Sequence, residues 1–179
     1  MLKFFGYFLF VCLALLFKLV PHLPNFSPEL VFSLYFLINY KKSSAILGIF
    51  FMWIICDVSY AFIYHIPAFG SWSLFTYSAL LIYFMLINFG DFKNKIKASK
   101  KQFIILSVFG VLIFWLWTNL GVYLLSGIYV HNFLRLISCY YLALPFLAYS
   151  LGSAVFWAVL IPAVITHRKA VQQSTLLSN

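Results

Sequence analysis

Apolar residues run along the chain in long blocks, interrupted in only a few places by short polar stretches. Cut at those stretches, the blocks fall near residues 4–20, 28–40, 44–64, 73–90, 103–125 and 138–166. A helix needs about 20 apolar residues to cross the hydrocarbon core of a bilayer. The block at 28–40 is short, and predicts a helix that begins inside the membrane after a re-entrant or tightly packed "VPHLPNFSP" (20–28). The block at 138–166 is long enough to tilt, with Pro145, Gly152 and Pro162 as kink points. The pattern predicts an all-α integral membrane protein: one six-helix transmembrane domain over 1–179, with a polar tail at 167–179. Lys3 ahead of the first block is compatible with a signal peptide. The following "FKLVPHLPNF" has no small-x-small cleavage site, however, so the block is read as a retained helix.

Composition agrees. Hydrophobic residues make up 65% of the chain and charged ones 8%, with a mean hydropathy of +1.02; a soluble domain carries about 25% charged residues. Cys12, Cys56 and Cys139 lie in or beside apolar blocks without CxxC spacing. They read as buried free thiols, not as a disulfide framework or a zinc site. Charge sets the orientation. With six crossings, Lys3, Lys41, Lys42, Lys93, Lys95, Lys97, Lys100, Lys101, Arg168 and Lys169 fall on one side, and only Lys18 and Arg135 on the other. Basic short loops stay cytoplasmic, so both termini are expected there. The net charge of +9 is then a topology signal, and "DFKNKIKASKK" an ordinary loop, with no nucleic acid implied.

The polar residues that this sorting leaves unexplained gather at the opposite end: Lys18, His22, Asn25, Glu29, His65, His131 and Arg135, with Asp57 in the outward half of the third block. Charges within membrane spans are costly, and face a cavity, a partner or a ligand path. At helical spacing Trp53, Asp57, Tyr60 and Tyr64 share one face. That face suits an amphipathic ligand. Equally, the tyrosines could form an interfacial belt while Asp57 pairs with Lys18 or Arg135. Ser27, Pro28 and Glu29 fit N-cap, N1 and N2 of an ordinary helix start. GxSxG, HExxH and paired carboxylates are lacking, and Glu29, Asp57 and Asp91 are the only acidic residues. "GSWS" at 70–73 sets serines near His65 and Asp57, but loop serines beside a membrane helix are commonplace, so no enzyme is expected.

"PHLPNFSPELVFSLYF", "CDVSY" about 30 residues on, and "TNLGVYLLSGIYVHNFLRLISCYYLALPF" resemble a family of small bacterial membrane proteins with a PHxPNFxP segment. That family in turn resembles the substrate-binding S components of energy-coupling-factor vitamin transporters, a solitary cobalamin-specific member being its best-understood neighbour. The resemblance implies a six-helix bundle in the bacterial inner membrane that takes up a vitamin or vitamin-like molecule, cobalamin or another corrinoid leading, with no cofactor of its own. It also implies a site enclosed by residues 20–28, 65–72 and 126–137. His22, Asn25, Asp57, Tyr77, Asn119 and Arg135 are the positions carried over, as ligand contacts or as the scaffold holding them; Tyr60 and Tyr64 join them from the face of Asp57. Two departures stand out. The AxxxA pattern by which S components dock a coupling subunit is missing from "FFGYFLFVCLALLFKLV", which favours a solitary protein or one that docks differently. The loop "HIPAFGSWS" lacks the cobalt-ligating cysteine, leaving His65 as the nearest candidate ligand. The alternatives are a membrane-embedded enzyme acting at the outer face and a structural subunit without a small ligand.

The charge pattern has a direct test. In a cysteine-free background, a single cysteine at Ser126 is expected to react with an impermeant thiol reagent on intact cells, and one at Ser99 only after lysis. Labelling of both from outside contradicts six crossings.

Overall fold

The computed structural model describes residues 2–20, 23–89 and 99–177. Among them the chain forms seven helices and no strand: α1 (Leu2–Leu19), α2 (Glu29–Asn39), α3 (Lys42–Tyr64), α4 (Ser71–Phe89), α5 (Lys100–Leu125), α6 (Phe133–Leu142) and α7 (Leu144–Leu177). Four stretches are long and apolar enough to cross a membrane: Lys42–Tyr64, Ser71–Asn88, Lys100–Leu125 and Leu144–Ala163. The outside of the bundle carries large apolar side chains, among them Phe62 at 81% and Leu47 at 72% exposure, which suits lipid and not water. The chain is a multi-pass helical membrane protein.

The helix at the centre is the shortest but one. Nine of the 11 residues of α2 are buried, from Glu29 to Ile38. A helix apolar on every side is driven inside, and 11 residues rise only about 16 Å, half a bilayer core. It does not cross by itself. It packs antiparallel to α1, with Phe10 against Phe32, Tyr35 and Phe36 at ring-centroid distances of 4.6, 5.0 and 5.5 Å. On other sides it meets α3, α5 and α7. Its start departs from the expected cap: Pro28, itself buried, already has helical dihedrals (φ −83°, ψ −10°), and no side chain caps the first turn. The carbonyl of Ser27 instead accepts a hydrogen bond from Ser153 Oγ of α7 at 2.8 Å.

The expected single helix over 138–166 is in fact two. Proline has no N–H and its ring collides with the carbonyl four residues back, so "LALPF" ends α6 at Leu142, and Pro145 takes the second position of α7. The carbonyl of Ala143 at the break accepts from the Trp115 indole N–H of α5 at 3.0 Å and from the Leu147 amide at 3.1 Å. Gly152 and Pro162, the other expected kink points, lie within α7 without interrupting it.

The α4–α5 contact is set by glycine. An added Cβ at Gly110 would meet the Tyr83 ring at 2.6 Å, and one at Gly121 the Phe75 ring at 2.4 Å. Tyr83 is fully buried and donates to the Leu106 carbonyl at 2.9 Å. Gly110→Val is therefore expected to lower the melting temperature in detergent by the equivalent of about 1–3 kcal/mol. Ile105→Val, on the lipid face of the same helix, is expected to cost under about 0.5 kcal/mol. Equal melting of the two variants contradicts this packing.

Candidate functional site

At the end of the bundle where α1, α3 and α5 finish and α2 and α4 begin, the helices part around a cavity of about 830 Å³. Such a volume lies in the range of small-molecule sites, about 300–1,000 Å³. The walls mix rings (Trp53, Tyr60, Trp72, Phe114) with polar groups (Asn25, Ser73, Thr76, Asn119).

Three charged side chains meet on one wall. Lys18 Nζ lies 3.4 Å from Asp57 Oδ1 and 3.8 Å from Glu29 Oε1. Glu29 is almost wholly buried, its side chain 4% exposed, while those of Lys18 and Asp57 keep 26% and 21% exposure towards the cavity. The Tyr77 hydroxyl donates to Asp57 Oδ2 at 2.9 Å. Lys18 also sits 5.7 Å from the centroid of the Tyr60 ring, which lies 4.4 Å from that of Tyr64. Beneath, the Trp53 indole donates to Ser33 Oγ at 3.1 Å, and Ser33 to the Glu29 carbonyl at 2.8 Å. The triad thus ties together the last turn of α1, the first of α2 and the middle of α3.

The loop before α2 forms one rim. Leu23, Pro24, Asn25 and Phe26 make a turn in which the Phe26 amide donates to the Leu23 carbonyl at 3.0 Å, with Asn25 at φ +58°. Proline pre-sets the second position of such a turn, and asparagine tolerates a positive φ at the third. Ser150 Oγ of α7 reaches the Asn25 carbonyl at 3.5 Å.

The model of a family of unknown function, DUF6580, matches residues 2–174. The chain belongs to this family. No curated protein and no solved structure matches it. Within this DUF6580 chain, the positions singled out from sequence divide. Asn25, Asp57, Tyr60, Tyr64 and Asn119 line the cavity. Tyr77 stands behind Asp57, stacked on Phe50 with ring centroids 5.9 Å apart. His22 lies outside the described residues, as does most of the basic loop of Lys93, Lys95 and Lys97.

Of the two partners open to Asp57, the structure pairs it with Lys18. Arg135 does not reach Asp57: it is exposed near the start of α6, whose Tyr140 donates to the Leu116 carbonyl and so holds that helix against α5. Lys18 takes the role instead. Glu29, read as part of an ordinary helix start, does open α2 and is the most buried member of the triad. His65, the candidate cobalt ligand, is exposed, does not line the cavity, and ends α3 in a left-handed conformation (φ 54°). Trp72 and Ser73, from the "GSWS" stretch, line the cavity, and so do Thr76, Thr118 and Phe146, which had not been singled out; spacing alone offers no signal for these three, since they face it from α4, α5 and α7.

Removing one partner of a buried ion cluster leaves uncompensated charge, at a cost of up to about 3–5 kcal/mol. Lys18→Met is expected to approach that loss in thermal unfolding, and Lys18→Met combined with Asp57→Asn and Glu29→Gln to recover much of it. Arg135→Gln is expected to stay within about 0.5 kcal/mol of the parent. A Lys18→Met protein that melts like the parent contradicts the triad.

Proposed function

We propose that this protein binds a vitamin or vitamin-like small molecule in the cavity and carries it into the cell. The observation that carries the reading is the cavity itself, of drug-like volume and lined by rings and by a few converging polar groups. The chain ascends and descends in six passes, α6 and α7 together making the last. Lys41 and Lys42 at the start of α3, and Lys100 and Lys101 at the start of α5, lie at the end opposite the cavity. Basic loops face the cytoplasm, so the cavity opens outward and both termini lie inside, in the bacterial inner membrane. The rim at 23–28 is preorganised by two prolines and tied to α7, which limits the entropy lost on closing over a ligand. With no AxxxA face on α1, the protein works alone or docks a coupling subunit by another surface.

Two measurements test this. Mass spectrometry of small molecules retained by the purified protein is expected to find a vitamin-sized compound, returned unchanged; a converted product would mean an enzyme. Thermal unfolding with candidate vitamins, cobalamin and cobinamide included, is expected to show saturable stabilisation by one of them. Asn119→Ala and Asn25→Gly (glycine keeps the positive φ) are then expected to weaken binding about 5- to 150-fold, the equivalent of losing a buried hydrogen bond. Stabilisation by no compound, with nothing retained, refutes the proposal.

A further inference from the structure

The deep end of the cavity offers acceptors. Trp53 and Phe114, with ring centroids 5.4 Å apart, lie at its floor. One helical turn nearer the mouth stand Asp57 on α3 and Thr118 on α5. The Tyr77–Asp57 hydrogen bond and the approach of Phe75 to Gly121 set Thr76 of α4 at this level too, beside Asn119. The protons of this level are spent on the protein itself. Thr118 Oγ donates to the Phe114 carbonyl at 2.7 Å, Thr76 Oγ to the Trp72 carbonyl at 3.3 Å, and Asn119 Nδ2 to the Trp115 carbonyl at 2.8 Å. Tyr77 donates to Asp57, Trp53 donates to Ser33, and Lys18 Nζ faces Asp57 at 3.4 Å. We infer that the ligand enters with N–H or O–H donors foremost, as an amide, amine or hydroxyl edge, and that Asp57, Thr76, Thr118 and Asn119 receive them. The inference rests on the reading of the cavity as a small-molecule site and narrows it to a chemical class and an orientation.

Hydrogen-bond capacity decides the direction. A hydroxyl that gives its proton to the carbonyl four residues back keeps two lone pairs, so Thr76 and Thr118 face the cavity as acceptors. With Nδ2 on the Trp115 carbonyl, Asn119 has Oδ1 and one N–H left. Asp57 meets Lys18 through Oδ1 and Tyr77 through Oδ2, while a carboxylate accepts about four hydrogen bonds. Water can supply protons to these oxygens in the empty cavity, but a ligand that fills it displaces that water. A ligand ending in an acceptor then sets lone pair against lone pair and leaves buried acceptors unmet. Turning a threonine proton towards such a ligand gives up a bond already made. At the mouth the sense reverses: Ser73 Oγ accepts from the Gly70 amide at 3.1 Å, which leaves its own proton to give. A ligand with donors at one end and a carbonyl or ring nitrogen at the other is therefore held in one orientation.

The experiment compares two neutral probes of nearly the same shape on the purified full-length protein: benzamide, which carries an NH2 group, and acetophenone, which has a methyl group in its place. Ligand-dependent melting shifts yield an affinity for each, with free concentrations fixed by equilibrium dialysis because acetophenone enters detergent. Benzamide is expected to bind about fivefold or more tightly than acetophenone. Thr76→Val combined with Thr118→Val keeps the side-chain shape and removes two acceptors, so the preference should collapse. The ligand-free melting temperature should stay close to the parent's, because the lost hydroxyls bond to carbonyls of their own helices. If the double variant does not fold, Thr118→Ala removes the better-bonded hydroxyl alone and is expected to reduce the preference in the same direction. Acetophenone binding as tightly as benzamide overturns the inference about donors and leaves the cavity reading standing. A preference that survives the loss of the threonine hydroxyls also overturns it. No shift with either probe overturns it too, and if the vitamins above also give none, the cavity reading falls with it.

Discussion

An ammonium group set between two carboxylates at one end of an apolar bundle governs how three of its helices meet. Lys18, Glu29 and Asp57 come from α1, α2 and α3. A lone charge among apolar side chains is expensive, and here Lys18 lies beside both carboxylates. The pairing fixes the depth of the last turn of α1 against α3. It also draws the first turn of α2 so far inward that Glu29 and Pro28 are both buried. The cavity follows from it: α2 starts inside the bundle and is too short to fill the space at that end, so rings and polar groups from α3, α4, α5 and α7 are left around a gap.

The opposite side of the bundle is built by a different rule. There α5 packs against α4 and α7. Glycines admit the Tyr83 and Phe75 rings, and indole N–H groups bridge the helices, Trp117 donating to Ser78 Oγ at 2.8 Å and Trp115 to the Ala143 carbonyl at the α6–α7 break at 3.0 Å. Without water in the hydrocarbon core, an interrupted helix has to find such partners inside the protein. At the break before Pro145, α5 supplies the Ala143 carbonyl with a second donor beside the Leu147 amide. One half of the molecule is held by rings and close backbone approach, the other by charge, and the cavity lies where the second kind of contact leaves room.

Rigidity at the rim has the same logic. The proline–asparagine turn at 23–26 is locally determined, and two serines of α7 anchor the carbonyls of Asn25 and Ser27. The turn also places Asn25, in a backbone conformation few residues tolerate, at the cavity edge.

Much of this was legible in the chain. Hydrophobic blocks and their lengths announced a helical membrane protein, because the bilayer imposes a length and a polarity on every crossing segment. The brevity of the 28–40 block foretold a helix that begins inside the bundle, where Pro28 and Glu29 are both buried, and the segregation of basic residues marked one end of the bundle as different. Spacing on α3 put Asp57, Tyr60 and Tyr64 on one face, and all three line the cavity. What periodicity could not choose was the partner of Asp57. Lys18 and Arg135 were equivalent in sequence, each a basic residue on the expected side, and only the packing of α6 along α5 removes Arg135 from reach. Nor could it tell that Glu29, which has the signature of an ordinary helix start, lies buried beside that lysine. Local pattern encodes which face of a helix is apolar and where a helix must stop; the depth and rotation of one helix against another depend on contacts between residues tens of positions apart, and those exist only once the bundle is assembled.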